Sequence, residues 1–140
     1  TMDRLDTPAL PALGRLLMSL IFILSGWGKL FAAGGTIGYI AAHNLPLPAV
    51  AYAIAVIVEL GGGLLLLTGL FTRPVALVLA VFCLVTAFVF HGFGDMNNQI
   101  HAMKNIALAG GFLFVAARGA GAWSLDAALR RRRTGMPLPA

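Results

Sequence analysis

Residues 49–70 read AVAYAIAVIVELGGGLLLLTGL, an apolar run whose single charge, Glu59, sits near its middle. A helix of about 22 residues rises roughly 33 Å, close to the thickness of a bilayer's hydrocarbon core. The run therefore reads as a transmembrane helix with a carboxylate near the bilayer midplane. Placing a charge there costs about 2.5–3.5 kcal/mol on insertion scales. Glu59 must face the protein interior, find a partner or hold a proton. Ala55, Gly62 and Gly63 lie at i−4, i+3 and i+4 from it, so its face is built of small residues that let a neighbouring helix approach. Two readings of Glu59 stand side by side: a proton-active or ligand-facing group, and a structural ion pair tying helices together.

The rest of the chain agrees with a membrane setting. Its 140 residues are 59% hydrophobic and 11% charged, with mean hydropathy +0.90. That composition excludes an ordinary water-soluble domain of this size and leaves room for about four spans. The net charge of +5 is concentrated at segment ends and in one terminal run. It reads as membrane topology and attraction to anionic lipid rather than as a nucleic-acid surface. Cys83 is the single cysteine, so an intrachain disulfide and a CxxC redox pair are excluded; a buried small hydrophobe is expected. No signal peptide is read, and Met2 is taken as the natural start after Thr1.

The expected fold is an all-α, integral membrane four-helix bundle. Residues 1–12 form an N-terminal tail and residues 13–126 the four-span domain. Residues 127–140 form a basic, disordered C-terminal tail. The first span is expected from Leu13 to Phe31, with Arg15 and Lys29 near its ends, placed to snorkel. Gly34-Gly35 and Pro46-x-Pro48 break regular helix. Between them, Thr36 to Asn44 is read as a short interfacial helix with Tyr39 as an anchor at the lipid boundary. Phe71-Thr72-Arg73-Pro74 makes a tight turn into a third span ending near Phe90, so spans two and three form an antiparallel hairpin. MNNQ (96–99) is read as a loop before a fourth span from Ile100 to Ala117. Ser124-x-x-Ala127 is set to cap a short interfacial helix carrying Asp126.

With four spans, Arg4, Arg15, Arg73, Arg118 and Arg130 to Arg133 share one side, which the positive-inside rule makes cytoplasmic together with both termini. The other side collects Lys29, His43, Asn44, His91, Asp95, Asn97 to Gln99, His101 and Lys104. With Glu59 beneath them, these residues can line a polar cavity. Lys104–Glu59 and Lys29–Glu59 are the candidate ion pairs; Glu59 lies about 10 Å deeper than Lys104 at 1.5 Å per residue. His91, Asp95 and His101 lack an HxxxH or HxxE spacing, so no metal site is expected. Neither glycine cluster has phosphate-loop spacing.

Four pieces of the chain carry a resemblance: GRLLMSLIFILSGWGKL (14–30), VELGGGLLLLTGLFTRPVAL (58–77), the His91 end of span three, and KNIALAGGFLFVAARGAGAWSLD (104–126). In order and spacing they resemble the DoxX family of small four-helix membrane proteins. Members resemble membrane subunits of redox assemblies, including small subunits of archaeal thiosulfate–quinone oxidoreductase and a membrane oxidoreductase complex of thiol and oxidative stress. The resemblance maps the family's first-span Lys and second-span Glu onto Lys29 and Glu59, and its fourth-span Lys onto Lys104. What it implies is an accessory subunit in a bacterial inner membrane, with a quinone or lipid-like ligand near Glu59, Lys29, His91 and His101. Glu59, Lys104 and Lys29 would carry any quinone-linked chemistry, with partner redox subunits or a second copy of the chain alongside. Two alternatives remain: a transporter of a small solute or protons, and a scaffold in which the charges only lock helices.

Overall fold

The computed structural model describes residues 5–90 and 94–135. Six helices follow one another among these residues: α1 (Ala9–Leu30), α2 (Ala33–Ala42), α3 (Pro48–Thr68), α4 (Thr72–Phe90), α5 (Met96–Arg118) and α6 (Leu125–Thr134). Helices α1, α3, α4 and α5 are long and apolar enough to cross a membrane. Their large outward side chains, Leu24, Ile57, Phe88 and Phe114 among them, are more than half exposed. In lipid such a surface is already solvated, so association rests on close packing and polar contacts instead.

The packing follows the small residues. Helix α1 lies along α3, and α4 pairs with α5. Between them Phe22, Leu66, Leu79, Cys83 and Phe112 form the core, with alanines filling the gaps. The rings of Phe22 and Phe112 meet at 5.4 Å between centroids. A Cβ on Gly26 would stand 2.8 Å from the Leu60 backbone nitrogen, and one on Gly63 would stand 2.8 Å from Ile23 Cγ1. The α1–α3 crossing is therefore as close as two backbones allow. The expected small-residue face beside Glu59 is the face that packs. Cys83 is buried as expected.

Turn chemistry sets the boundaries. Gly69 closes α3 with φ +72°, and the short turn after it sends the chain back as α4. Asp95 accepts a 2.8 Å bond from the Asn98 N–H, so MNNQ is the first turn of α5 rather than the expected loop. Gly34 and Gly35 lie inside α2, whose start at Ala33 precedes the expected break. Ser124 Oγ accepts from the Ala127 N–H at 3.1 Å, as the sequence suggests. Helix α6 then continues through Arg130–Arg133 to Thr134, where a disordered tail is expected from residue 127. Its alanines, leucines and arginines are good helix formers once that cap is in place.

Arg15 departs furthest from expectation. Instead of snorkelling it is 3% exposed. Its Nε donates to the Ala120 carbonyl at 3.0 Å. Nη1 donates to Leu66 at 3.1 Å and Leu67 at 2.9 Å, and Nη2 donates to the Trp123 carbonyl. The last carbonyls of a helix have no partner within it. Arg15 supplies one for α3 and joins it to the segment leading into α6. Asp126 works from the opposite direction, accepting from the N–H groups of Phe71 and Thr72 at 2.9 Å each at the start of α4.

Candidate functional site

Glu59 lies within a π-helical turn, Ile57–Gly61, in the middle of α3. Such a turn takes one extra residue, and it concentrates at functional positions. The α-helix resumes at Gly62. Glu59 is 7% exposed, and its carboxylate is turned toward α1. There Lys29 Nζ reaches Oε2 at 2.8 Å and Oε1 at 3.1 Å. Ser25, one turn before Lys29, accepts from Lys29 Nζ at 2.7 Å and donates to Glu59 Oε2 at 3.2 Å. The Tyr52 hydroxyl donates to the Lys29 carbonyl at 2.8 Å, tying the end of α1 to α3. Of the two pairs the sequence allows, Lys29–Glu59 is the one that forms.

This ion pair borders a cavity of about 550 Å³, within the usual size for a small-molecule site. Its wall is mostly aliphatic and aromatic, from α1, α2, α3, α4 and α5. The Lys29 side chain keeps 28% of its surface and that of Glu59 only 9%. The lysine side chain is thus the more accessible partner. Tyr39 and Phe90 stack at 5.7 Å between centroids, with His43 5.0 Å from Phe90. Tyr39, expected as a lipid anchor, lines the cavity, and Ile40 beside it is buried. Helix α2 therefore serves as part of the cavity wall.

Lys104 and His101 also line the cavity, with Lys104 Nζ 3.5 Å from His101 Nδ1. The expected Lys104–Glu59 pair does not form; the carboxylate is held by Lys29 and Ser25 instead. Asp95 caps α5 and does not line the cavity. His91 lies outside the described residues. Among those residues no group of three or more His, Cys, Asp or Glu side chains is placed to hold a metal ion.

Sequence reasoning missed two features of this wall. Asn105 Nδ2 donates to Thr86 Oγ1 at 3.0 Å. Thr86 Oγ1 in turn lies 2.9 Å from the Phe82 carbonyl and 3.2 Å from that of Cys83. Asn105 stands right after Lys104 in an apolar span, a signal that was present but overshadowed by the charge. The π turn had no comparable signal, since Ile57–Gly61 reads as ordinary helix.

The DoxX family model matches residues 10–92, covering α1 through α4 and with them Lys29 and Glu59. Inner membrane protein YqjF of Escherichia coli (strain K12) is 42% identical over 122 residues, 84% of this chain and 90% of the relative. Inner membrane protein YphA of the same organism is 38% identical over 125 residues, 85% of this chain and 89% of the relative. No solved structure matches the chain significantly. With four helices long and apolar enough to span a membrane, the family-model match and relatives of this closeness, the chain belongs to the DoxX family of integral membrane proteins.

Proposed function

We propose that this protein is a ligand-binding accessory subunit of a redox or oxidative-stress assembly in a bacterial inner membrane, and that its ligand is a quinone or similar lipid-like molecule. The single observation that supports the ligand is the Lys29–Glu59 pair set into the wall of an apolar cavity of about 550 Å³. A charge pair kept inside a membrane helix bundle is costly without a use. Here both members of the pair line the space where a ligand would lie. The family resemblance supports the redox association. The names of the two relatives support the inner-membrane location. The distribution of arginines supports cytoplasmic termini.

A quinone headgroup suits the donor set. Lys29 can donate to a carbonyl oxygen, Glu59 and Ser25 fix the ammonium in place, and the apolar wall accepts the ring and the start of a tail. Such a ligand, when bound, would supply the two-electron chemistry that this chain's side chains lack. The chain's own part is to orient the oxygen, exclude water and hold a proton at Lys29 or Glu59.

The test is extraction. Protein purified in mild detergent is extracted with organic solvent, and the extract is read by ultraviolet–visible and mass spectra. A stoichiometric quinone or isoprenoid from wild type, lost from Lys29→Met, is the expected result. Bulk phospholipid alone from both contradicts the proposal.

A further inference from the structure

Helix α6 is held from one side. Its Asp126 carboxylate is spent on the Phe71 and Thr72 N–H groups, and the Asp126 N–H donates to the Gly69 carbonyl at 2.9 Å. Ala127 is buried, and Arg131 Nη1 donates back to the Ala122 carbonyl at 3.2 Å. These contacts fix α6 against the turn between α3 and α4. Residues 119–124 alone separate it from the end of α5 at Arg118. The helix therefore sits where the spans end. None of its residues lines the cavity, so the ligand reading gives it no role.

The other side of α6 is open and of mixed chemistry. Leu125, Leu129 and Arg132 recur at i, i+4 and i+7, one face of a helix, with Arg133 beside them, and all four are exposed. Trp123, also exposed, adjoins them just before the helix begins. Arg73 and Arg118 are exposed at the same end of the bundle. Arg118, Arg132 and Arg133 have no carboxylate partner among the described residues, where Lys29–Glu59 is the one ion pair. Water suits the arginines but not the leucines or the tryptophan, and hydrocarbon suits the reverse. A lipid headgroup layer offers both, with acyl chains on one side and phosphates on the other, and tryptophan favours that layer. Unpaired guanidinium charge selects anionic headgroups within it, and a guanidinium can meet a phosphate with two parallel bonds.

We propose that α6 is a docking surface for anionic phospholipid, lying in the headgroup layer of the membrane that holds the bundle. Trp123, Leu125 and Leu129 enter the acyl boundary. Arg132 and Arg133 take the phosphates of lipids that carry no compensating cation, such as phosphatidylglycerol.

The test compares the full chain in nanodiscs of phosphatidylcholine alone and of an equal mixture with phosphatidylglycerol. Amide hydrogen exchange is read across 125–134, with 76–87 of α4 as the internal reference. Exchange across α6 is expected to slow by about tenfold in the anionic discs, the effect of roughly two arginines near a charged surface after screening by salt. High salt should reverse it. The Arg132→Gln, Arg133→Gln double variant should lose the difference between compositions while 76–87 exchanges as in wild type, which shows that the bundle is intact. In a Trp27→Phe background, Trp123 fluorescence should be quenched by phosphatidylglycerol brominated on its acyl chains. Equal exchange of α6 in the two compositions overturns the proposal: if equally slow, apolar contact suffices, and if equally fast, the face belongs to a protein partner or to water. A difference that survives in the double variant overturns the role of Arg132 and Arg133. Unquenched Trp123 in anionic discs overturns the placement of the helix in the headgroup layer.

Discussion

Lys29 at the end of α1 and Glu59 in the π turn of α3 meet at 2.8 Å, and Ser25 bridges them from the same face of α1. The contact joins two spans and pairs a carboxylate that is buried in the bundle. It therefore has both a structural and a chemical consequence.

The structural consequence is a coupling between the two charges. Lys29→Met leaves a buried carboxylate without its ammonium, at a cost on the order of 1–3 kcal/mol, limited by the partial exposure of the lysine. Glu59→Gln strands the ammonium in the same way. The double variant removes both charges and should recover much of the loss. Thermal melts of the four proteins in one detergent give the coupling; strictly additive losses would show that the pair carries no interaction of its own. Ligand binding should be lost in all three variants, which distinguishes this pair from a pure helix lock.

Glycines on α1 should differ sharply although they are two residues apart. A Cβ at Gly26 meets the Leu60 backbone at 2.8 Å, and one at Gly28 meets nothing within 4 Å. Gly26→Ala should force α1 from α3 and cost about 1–3 kcal/mol. Gly28→Ala should be neutral or gain up to about 1 kcal/mol from helix propensity. Paired melting curves decide this, and equal effects at the two positions would contradict the close crossing.

Arg15 should not be replaceable by lysine. Its planar fork serves carbonyls of Leu66, Leu67, Ala120 and Trp123 from one side chain. An ammonium cannot reproduce that geometry. Arg15→Lys should destabilise by roughly 1–3 kcal/mol and loosen α6 in particular. Faster amide hydrogen exchange across 119–127 would report it; unchanged exchange there would refute the bridging role.

Acid should weaken the same end. Burial pushes the Asp126 carboxyl up. The Thr72 and Phe71 N–H groups and the nearby Arg130 outweigh it and hold the group below the usual carboxylate range. A depressed folded-state pKa contributes stability that is present above the unfolded value of about 3.9 and is lost as pH falls through the folded value. The melting temperature should therefore drop more steeply below about pH 4 in wild type than in Asp126→Asn. Parallel curves for the two proteins would show that the carboxylate adds nothing through these bonds.

The fold was legible because length and hydropathy alone dictate spans, and because the 71–74 turn leaves no choice but a hairpin. The small-residue face around Glu59 was legible for the same reason: 3.6-residue spacing puts Gly62 and Gly63 beside it. The partner of Glu59 was narrowed to Lys29 or Lys104 and no further, since spacing along one helix says nothing about how neighbouring helices rotate. Arg15 was misjudged because a charge near a span end looks alike whether it reaches for head groups or for a neighbour's carbonyls. The Asp95 cap was readable in Asp95-x-x-Asn98 but hidden by the polar look of MNNQ.

The central claim is that the Lys29–Glu59 pair holds a ligand's oxygen inside the cavity. The most direct measurement is titration of a short-tailed benzoquinone into nanodisc-embedded wild type and the Lys29→Met, Glu59→Gln double variant, whose paired loss of charge keeps the helices together. Saturable one-to-one binding to wild type, weakened at least tenfold in a double variant that melts near the wild-type temperature, is the predicted result. Equal binding to both proteins, or none above partitioning to either, would contradict it.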